Sequence, residues 1–325
     1  MPRLPKVHLN GSVLFITTSV EQDFMFPANP LIKEIIKSCL AIAQSHHPIE
    51  ISHIIMQSTH VHFTAMVHNP NDIPGFMERF KTESAHRINR LLGRKKRTIW
   101  CQGYDSTIIL DLEKAIEKIV YIYDNPVKDG LVESIDNYPG ISSWHHFKKG
   151  QSKATFKTYL IPRDALHKLE DRALFIDDYE RERRQLLIKK RKIKFQINLN
   201  SWMKAFLITD PKEQEEINQN IIDAVRAKEK DQKEIRKSEK ISVCGAAKLM
   251  LQRPGSAFIP EREGKKTICI ASDKKIRISF IQSIKLLISQ AREILLQWRK
   301  GNFLAQYPIG LYPPSLPKRA EAFGW

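Results

Sequence analysis

The stretch Thr59-His60-Val61-His62-Phe63 decides the fold prediction for the first half of the chain. It follows an apolar run at 51–56 and leads into another at 63–67, a pattern typical of strands. Because side chains alternate along a strand, His60 and His62 share one face and Val61 points to the other. Two neighbouring imidazoles on a rigid element are candidate metal ligands, although buried or cross-strand histidines without a function follow the same pattern.

A second informative stretch is Tyr121-Ile122-Tyr123-Asp124-Asn125-Pro126. In a helix, Tyr121 and Asn125 lie one turn apart on the polar face, whereas Tyr123 belongs to the apolar face and is predicted to be core. Pro126 is predicted to end this helix and to hold Asn125 at its terminus. An exposed tyrosine can be an idle surface residue. Combined with two histidines and an amide, however, it supplies the groups of a metal-assisted nucleophile that attacks phosphate.

The order of periodic segments predicts the fold of the first half. Strand and helix patterns alternate, and the long segment 51–67 can bend into two strands. The result is a ferredoxin-like βαββαβ core followed by one extra helix. The predicted elements are a strand at 13–18, a helix at 30–45, the segment 51–67, a helix opening at Pro74, strand segments near 99–100 and 108–110, and a helix with Asp111 as N-cap.

The sequence patterns of the second half predict a different architecture, which is mostly helical and basic. Residues 177–197 and 275–300 have helical patterns, whereas 211–240 is so highly charged that it predicts an exposed helix or a mobile linker. A proline-rich tail follows at 307–317. We therefore predict a first domain at 1–150 and an accessory, DNA-binding region at 151–325.

Composition excludes several classes of protein. The chain has 325 residues, 42% hydrophobic and 27% charged, which is ordinary for a globular protein. No apolar run approaches the length of about 20 residues that spans a bilayer. The first residues lack the apolar core of a signal peptide, and the four cysteines show no framework spacing, so a reducing cytoplasm is expected.

Charge is distributed unevenly along the chain. The net charge is +17, with 17 Lys+Arg and 15 Asp+Glu in residues 1–150 but 36 and 21 in residues 151–325. An excess of this size on one half favours a polyanionic partner, nucleic acid first and a membrane surface second. The alternatives are a charged loop tip and a solvated helix face. The candidate DNA-binding residues are Arg94, Lys95, Lys96, Arg97, Arg183, Arg184, Lys189, Lys190, Arg191 and Lys192.

Four motifs, in order, resemble the single-tyrosine transposases of bacterial insertion sequences, which are HUH nucleases. The chain is most similar to the branch called REP-associated tyrosine transposases. The resemblance covers about residues 10–147 and rests on the segments 56–63, 100–105, 121–132 and 139–144. Two departures concern substrate positioning: Thr59 stands where the family usually has asparagine, and Gln102-Gly103 stands where it has basic or bulky residues.

This resemblance implies an HUH endonuclease fold and a specific chemistry. His60, His62 and Asn125 would be the metal ligands, with Mg²⁺ or Mn²⁺ expected, although the ligand types alone do not exclude Zn²⁺. Tyr121 would be the nucleophile that forms a 5′-phosphotyrosine. The implied partner is single-stranded DNA with a hairpin or palindromic repeat, cut and joined by a monomer or homodimer in the cytoplasm, near the nucleoid.

Three rival interpretations use the same residues. A domesticated member of the family would bind DNA in a sequence-specific manner without cleaving it, but it would not need the full set of His60, His62 and Tyr121. An RNA-binding sheet would expose more aromatic residues than Phe15 and Phe63. A structural zinc site would need nearby cysteines.

Overall fold

A six-stranded sheet carries the residues highlighted by the sequence. The computed structural model describes residues 6–22, 24–95, 98–166, 176–187, 191–254 and 267–314. The strands are β1 (Val13–Ser19), β2 (Glu50–Met56), β3 (His60–Met66), β4 (Asp105–Ile109), β5 (Ile141–Ser142) and, after a separate pair, β8 (Cys269–Ile270). Their order is β5-β2-β3-β1-β4-β8, with every pairing antiparallel except β4–β8.

Three helices complete the predicted core: α1 (Pro30–His46), α2 (Asp72–Leu91) and α3 (Leu112–Lys128). Alternation along β3 separates the two faces of the sheet. Phe63 packs against Phe76 of α2, whereas His62 contacts Tyr121 of α3. Helices α1 and α2 contact each other, and α3 lies on the opposite face. The predicted ferredoxin-like core with an extra helix is therefore confirmed.

Helix α3 begins as predicted but does not end as predicted. The Asp111 carboxylate accepts a hydrogen bond from the backbone N–H of Lys114 at 2.8 Å, which caps the first turn. Pro126 lies inside the helix, which continues to Lys128. The prediction that Pro126 ends the helix was wrong, because the Asp129 N–H still donates to the Asn125 carbonyl and closes the last turn.

The predicted strand around Ile99 and Trp100 is shorter in the structure. Trp100 forms only an isolated bridge to Val20, and the regular strand begins at Asp105. Trp100 still packs into the core against Phe26 and Phe80. The apolar side chains at 99 and 100 therefore indicated burial in the core and not membership of a regular strand.

The second half contains helices, as predicted, but also a two-stranded ribbon. After α4 (Trp144–Phe147), which ends the first half, its elements are β6 (Lys153–Tyr159), α5 (Ile176–Leu187), β7 (Lys192–Asn198), α6 (Pro211–Glu239), α7 (Ala246–Met250) and α8 (Lys274–Arg299). The predicted helix at 177–197 was wrong after Leu187, because Lys192–Asn198 pairs with β6. Residues 193–197 alternate apolar and polar, the period of a strand rather than of a helix.

Helix α6 lies against α3, and this contact settles the choice between helix and linker at 211–240. Its buried apolar side chains, Ile217, Ile221 and Val225, recur every four residues and form one narrow face. The sheet and the hydrophobic core both take residues from each side of position 150, through β8 and α6. The domain division at 150 stays a prediction. None of the described helices is long and apolar enough to cross a membrane.

Candidate active site

His60 and His62 lie at one end of β3, a strand that is paired on both sides. His62 is opposite Thr17 on β1 and Ile55 on β2. The two imidazole rings are neighbours, with their centroids 4.5 Å apart. The backbone of a central strand is held by two ladders of hydrogen bonds, so the pair is presented on a rigid element. The structure thus brings together the two histidines that the sequence singled out.

Each imidazole has a hydroxyl group beside its Nδ1 atom. Thr17 Oγ1 lies 2.8 Å from His62 Nδ1, and Thr59 Oγ1 lies 2.9 Å from His60 Nδ1. A hydroxyl that accepts from Nδ1–H would fix the tautomer and leave the Nε2 lone pair free, as in many metal sites. Burial lowers the pKa of His60 to about 4 and the pKa of His62 well below its ordinary value. Both rings are therefore neutral at pH 7.

Asn125 joins the histidines to the helix. Its side chain is hydrogen-bonded to both His60 and Tyr121, and its Oδ1 accepts a hydrogen bond of 2.8 Å from Gln57 Nε2. Asn125 lies on the polar face of α3, as predicted from the sequence, and is only 2% exposed. It is buried because that face of α3 lies on the histidine end of the sheet rather than in solvent.

Tyr121 lies one turn before Asn125, with its ring against His62. The ring centroids are 5.4 Å apart, and Phe15 contacts the same tyrosine at 6.0 Å. Burial and the nearby Asp129 carboxylate raise the pKa of Tyr121, and the hydrogen bond to Asn125 opposes this shift. The phenol is half-buried and protonated at neutral pH, so it needs a proton acceptor before it can act as a nucleophile.

Tyr123 has a structural role, as predicted. It is fully buried, and its hydroxyl lies 2.6 Å from His53 Nδ1 and 2.9 Å from Ser143 Oγ. Its ring packs against Trp144 and Phe147. The two neighbouring tyrosines of α3 are thus clearly different in exposure, and only Tyr121 can meet a ligand.

Two cations flank the tyrosine and were missed as functional residues. Lys118 Nζ lies 5.4 Å from the Tyr121 ring centroid, and Lys128 Nζ lies 5.6 Å from it. Lys118 also lies over Phe15 at 5.3 Å, and burial lowers its pKa. The sequence could have indicated Lys118, because it lies three residues before Tyr121 and therefore on the same face of the helix. The contacts of Gln57 and Thr17 depend on pairing across distant segments and had no signal in the sequence.

The predicted DNA-binding residues that the structure describes belong to three segments: the loop after α2, helix α5 and the start of β7. Arg94 lies over the Phe24 ring at 5.1 Å, and Lys95 is exposed. Arg183 pairs with Glu180 on α5 at 3.2 Å, and Arg184 is exposed. Four residues lie outside the described part of the chain: Lys96, Arg97, Lys189 and Lys190. Arg191 and Lys192 are exposed at the start of β7.

The donor set fits a divalent metal. His62 Nε2 is buried and has no hydrogen-bond partner among the described residues, as expected of a nitrogen with a free lone pair. Among the described residues, this site included, no group of three or more His, Cys, Asp and Glu side chains is arranged to hold a metal ion. The third candidate ligand at this site is instead the Asn125 amide.

Comparisons with known proteins agree with the motifs. The family model described as "Transposase IS200 like" matches residues 15–125, a segment that contains His60, His62, Tyr121 and Asn125. The predicted resemblance to the insertion-sequence transposases is confirmed over this segment. No curated protein matches the chain.

Among solved structures, one similar chain is a REP-associated tyrosine transposase bound to a REP hairpin. It has 18% sequence identity and a TM-score of 0.39, over 46% of this chain and 86% of that chain. A likeness of this size is too small to assign a ligand.

Proposed function

Because residues 15–125 match the family model described as "Transposase IS200 like", we propose that this chain is a metal-dependent endonuclease and strand transferase for single-stranded DNA. It would act near hairpins or palindromic repeats through a 5′-phosphotyrosine on Tyr121. The observation that carries the proposal is the meeting of α3 and β3: Tyr121 and Asn125 lie against His60 and His62 of the same chain.

The proposed metal ligands are His60, His62 and Asn125, with Mg²⁺ or Mn²⁺ as the expected ion. The neutral imidazoles and the unpartnered Nε2 atom of His62 support this assignment. When bound, such an ion polarises the scissile phosphate and stabilises the leaving 3′ oxygen. Nitrogen and oxygen donors of this kind also accept Zn²⁺, so the choice of ion is part of the test.

Tyr121 is the proposed nucleophile. Its hydroxyl loses a proton to solvent or base, and the phenolic oxygen attacks phosphorus. The new bond joins phosphorus to the tyrosine oxygen, and the bond to the 3′ oxygen breaks. The leaving 3′ oxygen takes up a proton and becomes a free hydroxyl group. A second 3′-hydroxyl can reverse these steps and join strands, because the phosphotyrosine retains a reactive phosphodiester.

Neighbouring side chains would orient the reactants. Asn125 is hydrogen-bonded to Tyr121 and would hold the phenol beside the histidines. Lys118 and Lys128 place positive charge 5.4 and 5.6 Å from the centroid of the Tyr121 ring, and this charge would attract a DNA phosphate. Because the proposed substrate is DNA, the proposed place of action is the cytoplasm, beside the nucleoid.

The test uses a pool of single-stranded oligonucleotides that carry hairpins, with Mn²⁺ or Mg²⁺, followed by a denaturing gel. We expect a covalent protein–DNA band in the wild type that disappears with a chelator and in Tyr121→Phe. Tyr312→Phe is the matched control, because Tyr312 is an exposed tyrosine far along the sequence.

Two results would overturn parts of the proposal. An adduct that persists in Tyr121→Phe would show that another residue is the nucleophile. Hairpin binding without any adduct in the wild type would favour the domesticated, non-catalytic DNA-binding protein.

A further inference from the structure

The ribbon formed by β6 and β7 has one polar face. Burial alternates along both strands: Ala154, Thr158, Phe195 and Ile197 are buried, and the residues between them are half-buried or exposed. In the antiparallel register, residues 153, 155, 157 and 159 share the outer face with residues 192, 194, 196 and 198.

The outer face concentrates lysines. Lys153, Lys157, Lys192 and Lys194 are all exposed, and Lys157 is directly opposite Lys194. Like charges at directly opposed positions destabilise a strand pair. Among the described residues, none of these four lysines forms an ion pair. The face bears no Asp or Glu, so its charge is not neutralised within the ribbon.

The ribbon is held firmly on the rest of the protein. The Gln44 side chain on α1 accepts from the Gln196 N–H and donates to the Gln196 carbonyl, both at 2.9 Å. Asn198 Nδ2 donates to Glu50 at 2.6 Å. The two Gln44 bonds occupy backbone groups on the free edge of β7, and the Asn198 bond adds a side-chain anchor, so the lysine face is presented on a fixed support.

We propose that this lysine face is a docking surface for the sugar-phosphate backbone of double-stranded DNA, such as a hairpin stem. This assignment rests on the proposed function only for the identity of the polyanion as DNA. The duplex fits better than a single strand for two reasons. A two-stranded ribbon fits the major groove of B-DNA, which is about 12 Å wide. Stacking platforms for single strands need exposed aromatic rings, and the outer face has only the half-buried Tyr159.

The experiment measures binding of the full-length chain to a labelled hairpin oligonucleotide by fluorescence anisotropy, over a series of salt concentrations. The ribbon variant changes Lys153, Lys157, Lys192 and Lys194 to Gln. We expect its affinity to fall at least about ten-fold near 100 mM salt, and the slope of log K against log salt to flatten by roughly 3.

The matched control changes four exposed lysines of α6, Lys212, Lys230, Lys233 and Lys237, to Gln. It removes the same charge from a different surface and should keep most of the affinity and slope. Circular dichroism and thermal unfolding check that both variants are folded. Equal losses in the two variants, or unchanged binding in the ribbon variant, would overturn the proposal.

Two further arms separate this surface from other partners and from catalysis. Anionic phosphatidylserine vesicles replace DNA in the first: if the ribbon variant loses vesicle binding but keeps hairpin binding, the surface is a membrane contact and the proposal fails. The second measures adduct formation on the same hairpin oligonucleotide at a concentration that saturates the ribbon variant, where the adduct should still form. Absence of adduct in the wild type refutes the nuclease, whereas weaker hairpin binding in the ribbon variant, with the adduct still formed at saturation, supports the docking surface.

Discussion

Thr17 and His62 face each other across β1 and β3, with Thr17 Oγ1 at 2.8 Å from His62 Nδ1, although they are 45 residues apart in the chain. The contact engages the imidazole through Nδ1, whereas Nε2 is buried and has no hydrogen-bond partner among the described residues. Thr17 is therefore a positioning residue for the proposed metal site.

Replacing Thr17 with Val should weaken metal binding about 10–100-fold, because partners of ligand histidines typically contribute this much. Isothermal titration with Mn²⁺ measures the change. Thr18→Val is the control, since the Thr18 hydroxyl is buried without a hydrogen-bond partner among the described residues. Equal Mn²⁺ affinity in Thr17→Val and the wild type would show that the hydroxyl does not orient the ring.

Tyr121 meets His62 of its own chain, so one chain holds the complete set of candidate residues. We expect that a mixture of His62→Ala and Tyr121→Phe proteins forms no covalent adduct, because neither chain has both groups. A denaturing gel with differently sized tags reports which chain carries DNA. An adduct on the His62→Ala chain would instead reveal a dimer that pairs the tyrosine of one subunit with the histidines of another.

Lys118→Met should slow adduct formation roughly 10–100-fold, because it removes a cation from the proposed phosphate position beside Tyr121. Lys118→Arg should retain more activity, since it preserves the charge. Lys114→Met on the same helix is the control, because Lys114 is paired with Glu117. If the two methionine variants react at the same rate, Lys118 has no specific role.

His53 should make the fold sensitive to acid. Burial lowers its pKa to about 3, from an ordinary value of 6.5. The unfolded chain therefore binds a proton that the native His53 does not, and stability falls as the pH drops from about 6.5 toward 3. Urea unfolding at several pH values should show that His53→Gln reduces this slope by up to about 1.4 kcal/mol per pH unit. An unchanged slope would mean that His53 does not contribute.

The sequence alone was sufficient for elements whose signals are local. The alternation around His60 and His62 predicted a strand with both rings on one face, and the helical spacing placed Tyr121 and Asn125 together. Asp111 was recognised as a cap because capping depends on residues within one turn. The exclusion of Tyr123 from the site followed from its apolar face.

Short sequence patterns did not predict secondary structure or burial correctly where contacts with distant segments determined them. Pro126 stayed inside α3, and Asn125 became buried, because the helix packs on the sheet and its last turn closes through Asp129. Lys192–Asn198 formed a strand because β6 supplied a partner about forty residues earlier in the chain.

For this protein, the sequence by itself determined the order of the elements, the two histidines on one face, the nucleophile candidate and the uneven charge. The tertiary structure decided which distant groups meet them: Thr17 beside His62, Gln57 beside Asn125, and a ribbon that gathers lysines from two segments. The physical reason is that hydrophobic periodicity and capping act within a few residues, whereas hydrogen-bond partners and strand pairing are chosen when the whole core packs.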